Sequence, residues 1–382
     1  MSIHLLNFIK HRFFVIVSFF LFVLSVSLSG YIYIAGSNIK KLSASNSSLT
    51  KSVENFQNED QYKRNEKLQV EVKNIKTSYA KSLSFYEDIL DLRAQKVDVT
   101  QLEELYAKIA KELSEFNYSS ASSNLVVLEK EIQKKTPSST ISTANAPVKN
   151  TPPGSGYSVQ QVKTDAGTFK VVIIAGDLNS TRVIIDTASD GTCANECPVL
   201  PLATYVSRSN AYAGINGSFF CPAEYPSCVG KTNSFDTLVM NKNKVYFNSD
   251  NNIYSTVPAV VFGGNWARFV SRSLDWGRDT SVDAVIANYP LYVQGGQNIF
   301  GGSGDAKLTS QGARTFIANK GNMVYIGIVY GASSSDAAKV FHALGMENAL
   351  GLDQGGSTAL WHSGYKAGPG RNIPSAILFV GK

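Results

Sequence analysis

One stretch of this chain combines residue types and spacing that could do chemistry: Gly351-Leu352-Asp353-Gln354-Gly355-Gly356-Ser357-Thr358. An apolar lead-in from Met346 to Leu352 delivers a single carboxylate into a run of small residues. Gly355 and Gly356 are free to take φ > 0 and to let a ligand approach the backbone closely. Successive N–H groups in such a turn form a concave anion site. One acid beside an anion cradle suits reaction at a charged, oxygen-rich substrate. The same residues also read as a tight turn between strands, with Asp353 capping it through an Asx hydrogen bond.

Placing such an acid requires a folded domain, and composition shows where one lies. The 382 residues are 43% hydrophobic, carry a net charge of +6 and include four cysteines. After Lys10-His11-Arg12, the 23 residues from Phe13 to Ala35 contain no charge. That is enough to cross a bilayer of about 30 Å as a helix. It exceeds the roughly 7–15 apolar residues of a secretory signal. Residues 1–36 therefore read as a membrane anchor spanning through residues 13–35, and Ser27-Leu28-Ser29-Gly30 keeps signal cleavage open as the other reading. Lys10 and Arg12 favour a cytoplasmic N-terminus, and Lys40 and Lys41 oppose it. The expectation is a single-pass cell-membrane protein with its C-terminal part outside the cytoplasm.

Cysteine placement agrees with that side of the membrane. Cys193, Cys197, Cys221 and Cys228 fall within 36 residues. A compact even set suits two disulfides in an oxidising compartment. Connectivity does not follow from spacing, although the local pairs Cys193–Cys197 and Cys221–Cys228 are reasonable. With no histidine nearby in sequence, zinc fits less well.

Residues 37–135 read as a helical, coiled-coil-like stalk. Leu68, Val72, Ile75, Tyr79, Leu83, Tyr86 and Leu90 recur every three or four positions, as do Leu102, Leu105, Ile109, Leu113 and Phe116. Breaks are expected near Ala94–Val99 and Asn117–Asn124, with Thr100 and Glu103 as a capping box between them. The stalk folds back on itself, pairs with a second copy as a homo-oligomer, or serves as a solvated spacer. Residues 136–156, rich in Pro, Ser, Thr, Asn and Gly, read as a flexible linker. Residues 157–382 alternate strand-like runs and turn signals, with helices at Leu200–Ser209 and Ser335–Leu344, the latter capped by Ser334 or Ser335. This is an α+β, mixed-sheet domain of ordinary size. Residues 38–135 hold 16 basic and 15 acidic side chains, and residues 156–382 hold 17 and 15. Neither part has the electrostatic footprint of a nucleic-acid binder.

Five blocks in order give the C-terminal domain a resemblance to the phosphodiester glycosidase family. Ala213-Gly214-Ile215-Asn216-Gly217-Ser218-Phe219-Phe220 resembles its Ile-Asn-Gly-Gly-Phe-Phe segment. Tyr289-Pro290-Leu291-Tyr292-Val293 and Ala313-Arg314-Thr315-Phe316-Ile317-Ala318 resemble its Pro-x-Leu-Val and Arg-Thr-Ala-Ile-Gly segments. Leu344 to Thr358 resembles its Leu-Gly-x-x-x-Ala-Leu-Asn-Leu-Asp-Gly-Gly-Gly-Ser-Ser block, and Arg371-Asn372-Ile373-Pro374-Ser375-Ala376-Ile377-Leu378 its closing Arg-x-Val-Pro-Asn-Ala-Leu segment. Gln354 and Ser218 stand where the family has glycine.

The resemblance implies cleavage of the glycosidic bond of a sugar-1-phosphodiester, with a phosphate-linked glycan of the cell envelope or an exopolysaccharide as substrate. The rival is a non-catalytic envelope module that binds phosphorylated glycan. Asp353 is the expected catalytic acid or base, and Glu224 a second carboxylate. Arg314 and Arg371 suit phosphate, because a guanidinium gives planar, bidentate hydrogen bonds. Asn216 and Gly217 suit sugar hydroxyls or an acetamido group. Gln354, Gly355, Gly356, Ser357 and Thr358 line the cradle. No cofactor is required; a divalent cation such as calcium at Asp353 is conceivable, although no calcium-loop spacing is present.

Overall fold

The computed structural model describes residues 3–58, 60–135, 146–250 and 256–382, so residues 136–145 of the expected linker lie outside it. The chain divides into two compact units, Met1–Asn74 and Ile75–Lys382. The first holds α1 (Ile3–Asn58) and the beginning of α2 (Asp60–Ala94). Phe19, Phe20, Leu21, Phe22 and Leu24 of α1 are all exposed. Among the described residues one helix, from Val17, is long and apolar enough to cross a membrane, a test that signal sequences also pass.

The second unit begins with a helical layer made of the C-terminal half of α2, α3 (Thr100–Ser114) and α4 (Tyr118–Lys135). Phe85, Ile89, Leu92, Leu102, Ile109, Leu113, Leu125, Leu128 and Ile132 close into a core of their own. The expected stalk is therefore divided, and its residues 75–135 fold back on themselves. The expected capping box at Thr100 is corrected. Val99 is the N-cap residue, without a side-chain bond. Asp98 instead accepts from the Thr100 N–H at 3.1 Å and from its hydroxyl at 2.8 Å. Glu103 pairs with Arg93.

The rest of the unit is built from three sheets. The first has the order β1-β2-β13-β12-β14-β10-β11. It uses β1 (Gly156–Thr164), β2 (Gly167–Asp177), β10 (Leu291–Gln294), β11 (Gln297–Asn298), β12 (Gly312–Lys320), β13 (Met323–Ala332) and β14 (Asn348–Gly351). The second runs β16-β15-β4-β17-β3, from β3 (Thr181–Thr187), β4 (Ala213–Asn216), β15 (Leu360–His362), β16 (Tyr365–Ala367) and β17 (Ser375–Gly381). The third runs β6-β5-β9-β7-β8, from β5 (Val239–Met240), β6 (Tyr246–Phe247), β7 (Ala259–Gly263), β8 (Trp266–Val270) and β9 (Ala284–Ala287). Among the described residues every named ladder is antiparallel, and the parallel contact is an isolated bridge between Val148 and Gln161. The α+β class thus holds, with antiparallel rather than mixed sheets.

Side-chain alternation explains the layering. Val172 and Ile174 of β2 face a central core shared with Ile377 and Phe379 of β17 and Val260 and Phe262 of β7. Val171, Ile173 and Ala175 face the opposite way, onto Ala337, Val340 and Phe341 of α7 (Ser334–Ala343). Ala376 and Leu378 of β17 likewise meet Leu202, Tyr205 and Val206 of α5 (Leu202–Arg208). Strands covered on both faces read as continuous apolar runs, and β2 is such a run. The cap of α7 is Ser333 in a reciprocal box with Asp336, one residue before the expected Ser334. Residues of the expected linker are paired where they are described. Gln161 donates its N–H to the Pro147 carbonyl, and Lys149 donates to the Gln161 carbonyl.

Candidate active site

Asp353 sits just beyond β14, where the first and second sheets meet. Its backbone is held from both. From the second sheet, the Asn216 side-chain amide donates to the Asp353 carbonyl at 2.7 Å, and the Asp353 N–H donates to the Gly217 carbonyl at 3.0 Å. From β12, the Thr315 hydroxyl donates to that same Asp353 carbonyl. Asn216 is fully buried, and its side-chain oxygen accepts from the Ala359 N–H at 3.1 Å. Asn216 therefore holds the Asp353 turn in place, a different task from the sugar contact expected of it. Gly217 is required by close approach: a Cβ there would lie 2.9 Å from the Ser375 carbonyl oxygen.

The Asp353 carboxyl is buried. It accepts from the Gln354 N–H at 2.9 Å and from the Ser357 hydroxyl. Burial outweighs these bonds and the attraction of Lys307, and pushes the carboxyl up to about 7. Gly355 takes φ +61°, as a turn of this kind needs, and Gly355–Ser357 forms one turn of 3₁₀ helix. The Gly356 carbonyl accepts from the Arg371 N–H at 2.8 Å, which ties the loop before β17 to the cradle.

Arg371 and Arg314 differ in their surroundings. Arg314 is buried and donates to the Gln354 side-chain carbonyl at 2.5 Å, to the Lys307 carbonyl at 3.1 Å and to the Ser310 carbonyl. Every acceptor is neutral, and burial lowers its pKa. Arg314 clamps Gln354 to the short helix α6 (Ala306–Thr309) and so holds Lys307 beside the site. Gln354, the departure from the family pattern, supplies the oxygen for that clamp. Arg371 faces acids. It forms ion pairs with Asp91 and, at 3.7 Å, with Glu224. Its guanidinium also lies over the Tyr225 ring, 5.0 Å from the centroid, and Lys307 lies 4.8 Å from the same ring. Burial lowers Arg371 to about 10.

Three participants come from the helical layer. Asp91 of α2 accepts from the Gly356 N–H at 2.8 Å and from the Tyr225 hydroxyl at 3.1 Å. Glu87 pairs with Lys307. Asp88 is attracted by Lys307 and Arg314, yet burial raises it to about 6. The Glu-Asp-x-x-Asp spacing was a visible signal, since Asp91 lies four residues beyond Glu87 and three beyond Asp88, the spacings of neighbours on a helix surface. Tyr225 and Lys307 carried no such signal. Both expected disulfides form, Cys193–Cys197 and Cys221–Cys228, and the second brackets the loop carrying Glu224 and Tyr225. Ser357 is bound to Asp353, whereas the buried Thr358 hydroxyl lacks a hydrogen-bond partner among the described residues. Among the described residues no cluster of three or more His, Cys, Asp or Glu could hold a metal ion.

Comparison with known proteins follows the same lines. No curated protein sequence matches the chain. Solved structures that the chain is similar to at low identity include two of note. One is a hypothetical protein from Synechocystis, at 13% identity and a TM-score of 0.41, covering 59% of this chain and 62% of its own. The chain thus spans less than two thirds of that protein. The other is the catalytic domain of zebrafish N-acetylglucosamine-1-phosphodiester alpha-N-acetylglucosaminidase, auto-inhibited by its pro-peptide. It shows 13% identity and a TM-score of 0.46, and covers 61% of this chain and 85% of its own. The phosphodiester glycosidase profile matches residues 209–380, the span that carries Asn216, Arg314, Asp353 and Arg371. Residues 209–380 form a domain of the phosphodiester glycosidase family.

Proposed function

We propose that the protein is a membrane-anchored hydrolase, with its catalytic domain outside the cytoplasm, that cleaves the glycosidic bond of a sugar-1-phosphodiester in an envelope glycan. One observation carries the reading: a buried carboxyl held at about 7, that of Asp353, adjoins the glycine cradle and Arg371. A phosphate monoester is already a good leaving group, so its departure needs little protonation. The more useful service is general-base attack by water, and an elevated pKa makes Asp353 a stronger base than an ordinary carboxylate. Water adds to the sugar C1, its proton passes to Asp353, and the C1–O electron pair departs with the phosphomonoester. Asp353 then returns the proton to solvent. The two disulfides and the apolar helix of the N-terminal unit support the extracytoplasmic, anchored setting.

The test uses the full chain in detergent with a hexose-1-phosphodiester of a simple alcohol, in ¹⁸O water. Release of ¹⁸O-labelled sugar and unlabelled phosphomonoester is expected. Label in the phosphate, or release undiminished in Asp353→Asn, would overturn the assignment.

A further inference from the structure

We infer that the seat occupied by Asp91 is the subsite for the substrate's phosphoryl group, and that α2 is an internal ligand competing with substrate for it. The inference rests on reading the site as one for sugar phosphodiesters. The seat consists of the Gly356 N–H, the Arg371 guanidinium and the Tyr225 hydroxyl, and all three converge on the Asp91 carboxylate. These donors suit an anion rather than a neutral group. Gly356 is shaped for that occupant, since a Cβ there would stand 2.7 Å from the Asp91 carboxyl carbon and 2.4 Å from Arg371 Nη2. The seat adjoins Asp353 through the Gln354–Ser357 turn, so a phosphoryl group held there leaves its sugar beside the base.

A carboxylate fills the seat incompletely. Arg371 is only 6% exposed, yet among the described residues its Nε lacks a hydrogen-bond partner and its Nη1 has only the 3.7 Å ion pair with Glu224. A phosphoryl group brings more acceptor oxygens on tetrahedral directions and can engage donors that two carboxylate oxygens leave idle.

The attachment of α2 is of a kind that can be exchanged. Its contacts at the site are polar and mostly charged: Glu87 on Lys307, Asp88 near Lys307 and Arg314, and Asp91 on Arg371, the Gly356 N–H and the Tyr225 hydroxyl. The helical layer keeps its own apolar core, confined to residues between Phe85 and Ile132. Withdrawing the helical layer as one body, with Phe85, Ile89 and Leu92 of α2 kept in that core, therefore need not dissolve it. An anionic substrate offers the same three cations an equivalent partner.

The experiment measures inorganic phosphate binding to the detergent-solubilised full chain by calorimetry, alongside sugar release from the phosphodiester. Asp91→Ala vacates the seat and should bind phosphate about tenfold tighter than wild type, within the usual range of coupling between competing states. Sugar release at subsaturating substrate should rise by a similar factor. Glu87→Gln weakens docking without emptying the seat, so its increase should be smaller but in the same direction. Equal or weaker phosphate binding by a folded Asp91→Ala overturns the inference. If near-ultraviolet circular dichroism shows that variant unfolded, equal binding by Glu87→Gln overturns it instead. Tighter phosphate binding without sugar release by any form would keep the subsite and refute the hydrolase reading. Sugar release by wild type with unchanged phosphate binding in both variants would do the reverse.

Discussion

Replacing Asp353 by Asn separates the two consequences of burying this carboxyl. In the folded protein it titrates at about 7, against 3.8 for an unperturbed Asp. The folded state thus holds its proton more tightly than the unfolded chain. Stability from this group is full below pH 3.8 and is lost as pH rises through 7, because the unfolded state ionises first. Between pH 5 and pH 8 the loss amounts to roughly 2–3 kcal/mol, from about 1.36 kcal/mol per pKa unit. No allowance for solvent screening is needed, since Asp353 is 8% exposed. Activity moves the opposite way. A general base works when ionised, so kcat/KM should climb through pH 7 and then level off. Asp353→Asn should lack both trends and lose about 10²–10⁴-fold in kcat. Urea unfolding of both proteins at pH 5 and pH 8 isolates the effect, because other titrating groups such as Asp88 cancel in the difference. The variant should gain roughly 2–3 kcal/mol on wild type at the higher pH relative to the lower. An unchanged difference between the two pH values, or a kcat/KM profile with no rise near 7, would refute the reasoning.

Three further outcomes test the supports around this acid. Asn216→Ala leaves the Asp353 carbonyl with one donor fewer and the Ala359 N–H bare, and should cost about 2–4 kcal/mol in urea unfolding. Its kcat should fall with little change in KM, whereas a sugar-binding role would raise KM instead. Gly356→Ala drives a methyl into the space of the seat and should weaken phosphate affinity by about tenfold or more, measured by calorimetry. Replacing Cys221 and Cys228 by Ala frees the loop of Glu224 and Tyr225. Loop entropy alone sets its cost at about 2.5 kcal/mol in a thermal melt, with KM rising more than kcat falls.

Local chemistry made much of this protein legible in its sequence. The uncharged run before Ala35, the apolar stripes of 68–132 and the strand-length runs of β2, β12, β13 and β17 each follow from hydrophobic periodicity, which a chain carries without reference to distant residues. The turn at Gly355 and the nearby cysteine pairs are local as well. Asp353 stood out for the same reason, as one acid at the end of an apolar run. The short strands β4, β14 and β15 carried too few residues for a period to show, and they exist because neighbouring strands supply their hydrogen bonds.

What the residues around Asp353 do was decided only by the tertiary structure. Asn216 and Gly217 lie 137 and 136 positions from it and fasten its backbone, so their type told nothing of direction. Arg314 and Arg371 are alike in sequence terms. Packing gave one to neutral carbonyls and Gln354, and the other to acids and the cradle. The partnership of Asp91 with Gly356 spans 265 positions, and no short-range pattern contains it. Sequence periodicity set the face on which Glu87, Asp88 and Asp91 stand. The fold alone brought that face to three cations, because long-range electrostatic matching depends on where the backbone carries each charge.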